Sequence, residues 1–140
     1  MAWQQLSESL YVWPDTCNVY CIKRGERGIL IDTGSGVVSC HLEELGVRQI
    51  EWVLHTHHHR DQCWGTAKLR ALGAKVAVPE HERHLFEDAE LFWRHKRIYS
   101  NYNDRNTFFS LSRNISVDAS LVDYEMFTWN DIQLEIIPAK

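Results

Sequence analysis

The stretch Ile50-Glu51-Trp52-Val53-Leu54-His55-Thr56-His57-His58-His59-Arg60-Asp61 joins an apolar run directly to a cluster of histidines that ends in an aspartate. The first six residues predict a strand, and residues 62–72 predict a helix. In extended backbone alternate side chains point the same way, so His57 and His59 can converge on one point, and Asp61 continues the alternation. Two imidazoles suit zinc, and a carboxylate adds a ligand that suits zinc, iron or manganese.

The same cluster has a second interpretation as a solvated, histidine-rich loop. The chain contains eight histidines among 140 residues, so some clustering is expected without a function. The position of the cluster between a strand and a helix favours the metal site. Two interpretations of His55 remain open: it is a buried core residue, or it is a hydrogen-bonding partner of the site. His81 and His84 lie three residues apart on a predicted helix, which indicates a solvated face.

Composition indicates one globular domain over residues 1–140. Hydrophobic residues make up 44% of the chain and charged residues 24%, as in soluble folded proteins. The net charge of −4 gives no reason to expect nucleic-acid binding, which usually requires a basic stripe. No apolar run is long enough to cross a membrane. The first residues lack a basic start followed by an apolar stretch, so we expect a cytoplasmic protein.

Four cysteines are spread along the chain without a C-x-x-C pair. We expect buried free thiols rather than disulfides. Cys63 could in principle supply a thiolate ligand, but it is out of register with the histidines, and a small buried side chain is the preferred interpretation. The cysteines are Cys17, Cys21, Cys40 and Cys63.

The remaining sequence predicts strands and helices in alternation. The predicted strands are 10–13, 18–22, 28–32, 50–55, 75–78, 125–129 and 132–137. The predicted helices are 37–45, 62–72 and 80–97, and residues 98–120 are predicted to be irregular. A β-meander followed by alternating elements predicts an α/β (α+β) fold in which helices cover a sheet.

The stretch from Thr56 to Gln62 resembles the motif T-H-x-H-x-D-H of the metallo-β-lactamase superfamily. Asn18-Val19-Tyr20 and the stretch from Gly28 to Gly34, with its Asp-Thr-Gly turn, resemble the opening strands of that family. The resemblance covers residues 10 to about 80 in order, and the final strands again. It implies a four-layer αββα sandwich with a metal site at one edge of the sheets.

The resemblance also implies roles for individual residues. The positions that match His57 and His59 bind the first metal, and the position that matches Asp61 binds a second metal or orients the catalytic water. Asp32 matches a buried acid that supports the site loops. Gln62 stands where the family has a histidine, and an amide oxygen is a weaker zinc ligand. One metal, a second metal held by other ligands, and an inactive relative therefore all remain open.

A further implication is that the chain corresponds to the N-terminal half of such a sandwich. In the family, the third histidine for the first metal lies in a loop after the strand that resembles Leu134 to Ile137, and this chain ends at Lys140. We therefore expect a truncated domain without its C-terminal half. An uncovered sheet face would favour a homodimer or pairing with a complementary half-domain.

Two functions follow from the resemblance. The first is a zinc-dependent hydrolase, with one or two ions, in which metal-bound hydroxide attacks a small-molecule ester, thioester, lactone or amide. On this view the truncated chain is inactive alone. The alternative is a non-catalytic fragment that self-assembles or pairs with a partner, so whether this chain is an enzyme stays open.

Overall fold

A computed structural model of the chain describes residues 2–57, 63, 65–91 and 114–138. These residues contain two α-helices, α1 (Thr66–Ala71) and α2 (Arg83–Glu87), and 3₁₀ helices at Val37–Cys40, Leu42–Leu45 and Glu80–Glu82. Their strands are β1 (Gln4–Gln5), β2 (Leu10–Pro14), β3 (Asn18–Arg24), β4 (Arg27–Ile31), β5 (Gln49–Leu54), β6 (Lys75–Pro79), β7 (Ala119–Leu121), β8 (Met126–Trp129) and β9 (Ile132–Glu135).

Strands β1 to β7 form one sheet in chain order, and β8 and β9 form a separate antiparallel hairpin. The pairs from β1 to β4 are antiparallel, whereas β4, β5, β6 and β7 run parallel. Because the carboxyl ends of parallel strands meet at one edge, the residues that follow β4, β5 and β6 are brought together there.

Both faces of the large sheet are covered by apolar side chains. Ile29 and Leu30 are neighbours on β4, point to opposite faces, and are both 0% exposed. Leu30 packs on the helical side, in a cluster with Val19, Cys21, Val38, Val53 and Leu69. Ile29 packs on the other side, in a cluster with Leu54, Ala77, Leu121 and Trp129. The hairpin therefore covers part of the face opposite the helices.

The predicted strands are confirmed, each within two residues of its predicted ends. Two further strands, β1 and β7, were missed because they are too short to show an alternating pattern. Strand β7 begins at the end of the region 98–120 that was predicted to be irregular and extends one residue beyond it. Residues 92–113, which include most of that region, lie outside the described residues.

The prediction of one helix over residues 37–45 is wrong. Two 3₁₀ helices occupy the segment, and His41 between them has a non-helical φ of −121°. The indole nitrogen of Trp3 donates to the carbonyl oxygen of His41 at 2.9 Å, and the ring of Trp13 stacks on the His41 ring at 4.5 Å. These long-range contacts hold His41 outside helical geometry and override the local pattern.

Where it is described, over residues 80–91, the helix predicted over residues 80–97 is less regular than expected. It begins as a 3₁₀ helix, continues as α2, and is interrupted at Asp88, whose φ is −116°. In this described part Phe86 and Ala89 are fully buried, whereas Leu85 is half-buried. The helix predicted over 62–72 is described as α1, and it ends before Gly73 as expected.

The cysteines are free thiols, as predicted. Cys21 and Cys63 are buried and Cys17 is half-buried, but Cys40 is exposed, so the expectation of burial is wrong for Cys40. Burial raises the pKa of the Cys21 thiol to about 12, and the positive charge of Lys23 offsets this only in part.

Candidate metal centre

The carboxyl ends of β4 and β5 lie side by side and carry the polar residues of the candidate site. Asp32 follows β4, and its backbone N–H donates to the carbonyl oxygen of Leu54 at 2.7 Å. Its φ of +62° is a left-handed conformation, which aspartate adopts more readily than most residues. The backbone N–H of His55 donates to the carbonyl oxygen of Ala77 at 3.0 Å. The stretch from His55 to His57 therefore leaves the sheet next to Asp32.

The carboxylate of Asp32 is the centre of a buried hydrogen-bond network. Its Oδ1 accepts from the backbone N–H of Thr56 at 3.0 Å, and its Oδ2 accepts from the Thr56 hydroxyl at 2.8 Å. The Nδ1 of His55 lies 3.3 Å from Oδ1. Only 5% of Asp32 is exposed, and a buried carboxylate needs such donors to be tolerated. Asp32 thus ties the Asp-Thr-Gly turn to the segment that carries the histidines.

His55 extends this network towards helix α1. Its Nε2 lies 2.7 Å from the hydroxyl of Thr66, which lies 3.1 Å from the hydroxyl of Thr33. Thr33 in turn accepts from the backbone N–H of Gly65 at 3.1 Å. His55 is 1% exposed and its ring packs 5.2 Å from the ring of Phe86, so it is both a core residue and a hydrogen-bonding partner.

A close approach of two glycines fixes the entry to helix α1. A Cβ atom on Gly65 would lie 2.5 Å from the Cα of Gly36, so the backbones touch where no side chain fits. An isolated parallel bridge between Gly34 and Cys63 joins the same two segments. Cys63 and Gly65, which precede α1, are therefore held against Gly34 and Gly36.

His57 lies three residues beyond the end of β5, where the sequence predicted a metal ligand. Its Nδ1 lies 2.9 Å from the hydroxyl of Thr56, and its backbone carbonyl accepts a weak hydrogen bond from the Cys63 thiol at 3.7 Å. His57 lines a cavity of about 700 Å³ together with His81, Glu82 and Asp123. The apolar part of the cavity wall comes from both sheets: Ile31, Leu54, Leu121, Leu134 and Ile136.

The other predicted ligands, His59 and Asp61, lie outside the described residues, as do His58 and Gln62. Their roles stay predictions. Within the ranges that the structure describes, no three histidine, cysteine or acidic side chains are grouped so that they could hold a metal ion. Cys63 is 3% exposed and packs among apolar side chains, as the preferred interpretation expects; its neighbours are Val76, Val78, Phe86, Ala89 and Ile115.

The donor chemistry at His57 fits a metal such as zinc. Histidine ligands commonly have one ring nitrogen held by a protein hydrogen bond while the other binds the metal. One ring nitrogen of His57, Nδ1, is held in this way, with Thr56 as the partner. One imidazole does not make a site, so the fit depends on His59 and Asp61 or on ligands from another segment.

Sequence reasoning missed the threonines of this network. Thr56 belongs to the motif, and its position beside His57 is the sequence signal that could have found it. Thr33 and Thr66 are 33 residues apart in sequence and meet only in the fold. No local pattern could have predicted their contact.

Comparison with known proteins identifies the family. The sequence pattern of the metallo-beta-lactamase superfamily matches residues 12–126. A hydroxyacylglutathione hydrolase of Dechloromonas aromatica is 34% identical over 65 residues, which are 46% of this chain and 24% of that protein. The chain belongs to the metallo-beta-lactamase superfamily.

Solved structures confirm the fold. BJP-1, a subclass B3 metallo-beta-lactamase of Bradyrhizobium japonicum, is 23% identical, with a TM-score of 0.73 over 96% of this chain and 50% of that chain. The class B3 di-zinc metallo-beta-lactamase LRA-12, from an Alaskan soil metagenome, is 20% identical, with a TM-score of 0.76 over 98% of this chain and 52% of that chain. This chain thus spans about half the length of the structures it matches. None of the helices in its described part is both long and apolar enough to span a membrane.

Proposed function

We propose that this chain contributes the first metal-binding segment of a metal-dependent hydrolase. The observation that carries the proposal is the network in which Asp32 holds Thr56 and Thr56 holds His57 at the end of β5. Membership of the metallo-beta-lactamase superfamily supports the same function. Zinc is the proposed metal, since imidazole and carboxylate ligands suit zinc.

The proposed roles are given in the order of the residues along the chain. His57 and His59 would hold the first metal, and Asp61 would orient the water or hold a second metal. A bound zinc would supply a Lewis acid that polarises a carbonyl and lowers the pKa of a water to about 7. Gln62 would weaken the second position, because an amide oxygen binds zinc less tightly than an imidazole.

A thioester of glutathione is the proposed substrate class. The hydroxyacylglutathione hydrolase is 34% identical over its matched segment, whereas the two beta-lactamases are 23% and 20% identical and support the fold alone. The cavity beside His57 is about 700 Å³ and mostly apolar, which is the size and character of small-molecule sites. Esters, lactones and amides remain the other candidate substrates.

Metal analysis of the untagged chain tests the metal centre. We expect the wild-type chain to bind zinc, iron or manganese, and His57→Ala to lose most of the bound metal. His84→Ala is the matched control, because His84 is an exposed histidine on α2. A metal-free wild-type chain, or equal metal content in the two variants, would contradict the proposal.

Activity is tested separately with a hydroxyacylglutathione and a β-lactam. We expect the chain alone to be inactive, turnover of the thioester to appear after addition of a complementary half-domain, and this turnover to be lost in His59→Ala. Turnover that survives in His59→Ala would exclude this loop as the active site.

A second candidate function is a non-catalytic module that pairs through the cavity face. Apolar side chains from both sheets line the cavity, as does Ile137, which is 69% exposed. Apolar surface of this kind favours association. Sedimentation analysis at micromolar concentration checks this: we expect a dimer that Ile137→Glu dissociates, and a well-folded wild-type monomer would rule pairing out.

A further inference from the structure

One carboxylate joins the turn between β2 and β3 to the loop that follows β4. Oδ2 of Asp15 accepts two hydrogen bonds from Ser35, one from the hydroxyl at 2.8 Å and one from the backbone N–H at 3.2 Å. Its Oδ1 accepts from the backbone N–H of Thr16 at 2.6 Å, and its own backbone N–H donates to the carbonyl oxygen of Cys17 at 3.0 Å. The turn therefore holds the carboxylate, and the carboxylate holds Ser35, which is 20 residues away in sequence.

Contact with Asp15 gives the glycine of the Asp-Thr-Gly turn a second role. The φ of Gly34 is +56°, which is a conformation that favours glycine. A Cβ atom on Gly34 would also lie 2.9 Å from Oδ2 of Asp15. Any side chain at this position would therefore push the carboxylate away from Ser35. The two segments thus approach each other at the backbone of the loop, where only glycine leaves enough room.

The same loop also contacts the residues that lead into helix α1. Gly34 forms the isolated parallel bridge with Cys63, and the backbone of Gly36 touches that of Gly65. The hydroxyl of Thr33 accepts from the backbone N–H of Gly65 at 3.1 Å. A continuous set of contacts therefore runs from the β2–β3 turn, through the loop after β4, to the segment that precedes α1.

We propose that Asp15 is a positioning residue for the proposed metal centre. Asp15 fixes the loop at Ser35, and the loop in turn fixes Cys63, which closely follows the predicted ligand Asp61 in sequence. A metal site binds more tightly when the segment that carries its ligands is already held in place, because less order has to be created on binding. The inference rests on the proposed metal centre for the identity of the ligands, whereas the contact between Asp15 and Ser35 is a property of the metal-free chain.

Amide hydrogen exchange of the full, metal-free chain tests whether Asp15 is coupled to the segment before α1. Asp15→Ala removes the carboxylate, and we expect the amide of Gly65 to exchange about 2–10-fold faster, because the lost hydrogen bonds weaken the loop locally. Ser35→Ala should have a smaller effect, since the backbone hydrogen bond to Asp15 remains. The amides of strand β6 are the internal reference, and their exchange rates should not change.

Zinc affinity, measured by competition with a chromophoric chelator, gives the second readout. Asp15→Ala should weaken zinc binding by about tenfold, which is typical for loss of an outer support of a metal site. Ser35→Ala should weaken it less, and Ser35→Thr, which keeps the hydroxyl, should retain the wild-type affinity. Asp118→Ala is the stability control, because it breaks hydrogen bonds to Arg70 and Val76 at the amino end of β6. It should lower the free energy of unfolding and leave the zinc affinity of the folded chain unchanged.

The outcomes separate this inference from the proposed function. Unchanged exchange at Gly65 in a folded Asp15→Ala overturns the coupling, and unchanged zinc affinity overturns the positioning role. An equal loss of affinity in Asp118→Ala also overturns that role, because zinc binding would then follow stability alone. If Asp15→Ala does not fold, the difference between Ser35→Ala and Ser35→Thr decides in the same way. A wild-type chain that binds no zinc overturns the proposed metal centre, whereas faster exchange at Gly65 in Asp15→Ala still supports the coupling.

Discussion

The carboxylate of Asp32 and the imidazole of His55, which are 23 residues apart in sequence, meet at 3.3 Å beneath the ends of two neighbouring parallel strands. Both side chains are almost fully buried, and the same carboxylate accepts two hydrogen bonds from Thr56. This arrangement links the stability of this edge of the sheet to the proposed site. Asp32 holds Thr56, and Thr56 contacts His57.

Asp32→Asn is expected to destabilise the chain. The amide has one acceptor oxygen in place of two and directs an N–H₂ group at a donor, so part of the network is broken. Loss of hydrogen bonds to a buried charged group costs about 2–3 kcal/mol in the free energy of unfolding. Urea unfolding measures the change. Asp131→Asn is the control, because Asp131 has 72% of its side chain exposed, and an equal loss in the two variants would contradict the role of Asp32.

The network shows what the sequence could and could not predict. The strands were predictable because short apolar runs bounded by turn residues indicate them. Ile29 and Leu30, on opposite faces of β4, are both buried, as such a run predicts. The motif also predicted His57 as a metal ligand, and this role stays a prediction. The helix at 37–45 was predicted wrongly because Trp3 and Trp13, distant in sequence, determine the conformation of His41. Such long-range contacts leave no periodic pattern in the sequence.

Gly65→Ala is expected to destabilise the entry to helix α1. The new Cβ atom would lie 2.5 Å from the Cα of Gly36, and backbone on both sides leaves no flexible group to move. Overpacking of this kind costs about 2–3 kcal/mol, measured as the change in free energy of unfolding. Gly73→Ala is the matched control: its φ of +107° is unfavourable for alanine, but no atom lies within 4 Å. Gly73→Ala should lower the free energy of unfolding by only about 1 kcal/mol. A smaller effect at Gly65 than at Gly73 would contradict the close approach.

Asp118 is expected to make stability depend on pH in the acid range. Burial alone would raise the pKa of its carboxyl, but hydrogen bonds from Arg70 and the backbone of Val76, with the charges of Arg70 and Lys75, outweigh burial and lower the pKa below its usual value of 3.8. A lowered pKa stabilises the fold at pH above the unfolded-state value, and this stabilisation is lost as the pH falls through the folded-state value.

The stability difference between wild type and Asp118→Asn should therefore be constant from pH 7 to about pH 5 and should shrink as the pH falls below 4. Urea unfolding at a series of pH values measures it. A double-mutant cycle with Arg70→Met attributes the effect to the ion pair between Arg70 and Asp118. A difference that grows on acidification would contradict the direction of the shift.

Thiol modification tests the environments of the four cysteines. We expect Cys40, which is exposed, to react fastest with a disulfide reagent at pH 8. Cys21 should react only after unfolding, because it is buried and its pKa of about 12 leaves little thiolate, and burial should likewise protect Cys63. In denaturant all four should react, since the cysteines are free. Cys40→Ser is the matched variant and should remove the fast phase alone; a fast phase that persists, or fewer than four thiols in denaturant, would contradict this description.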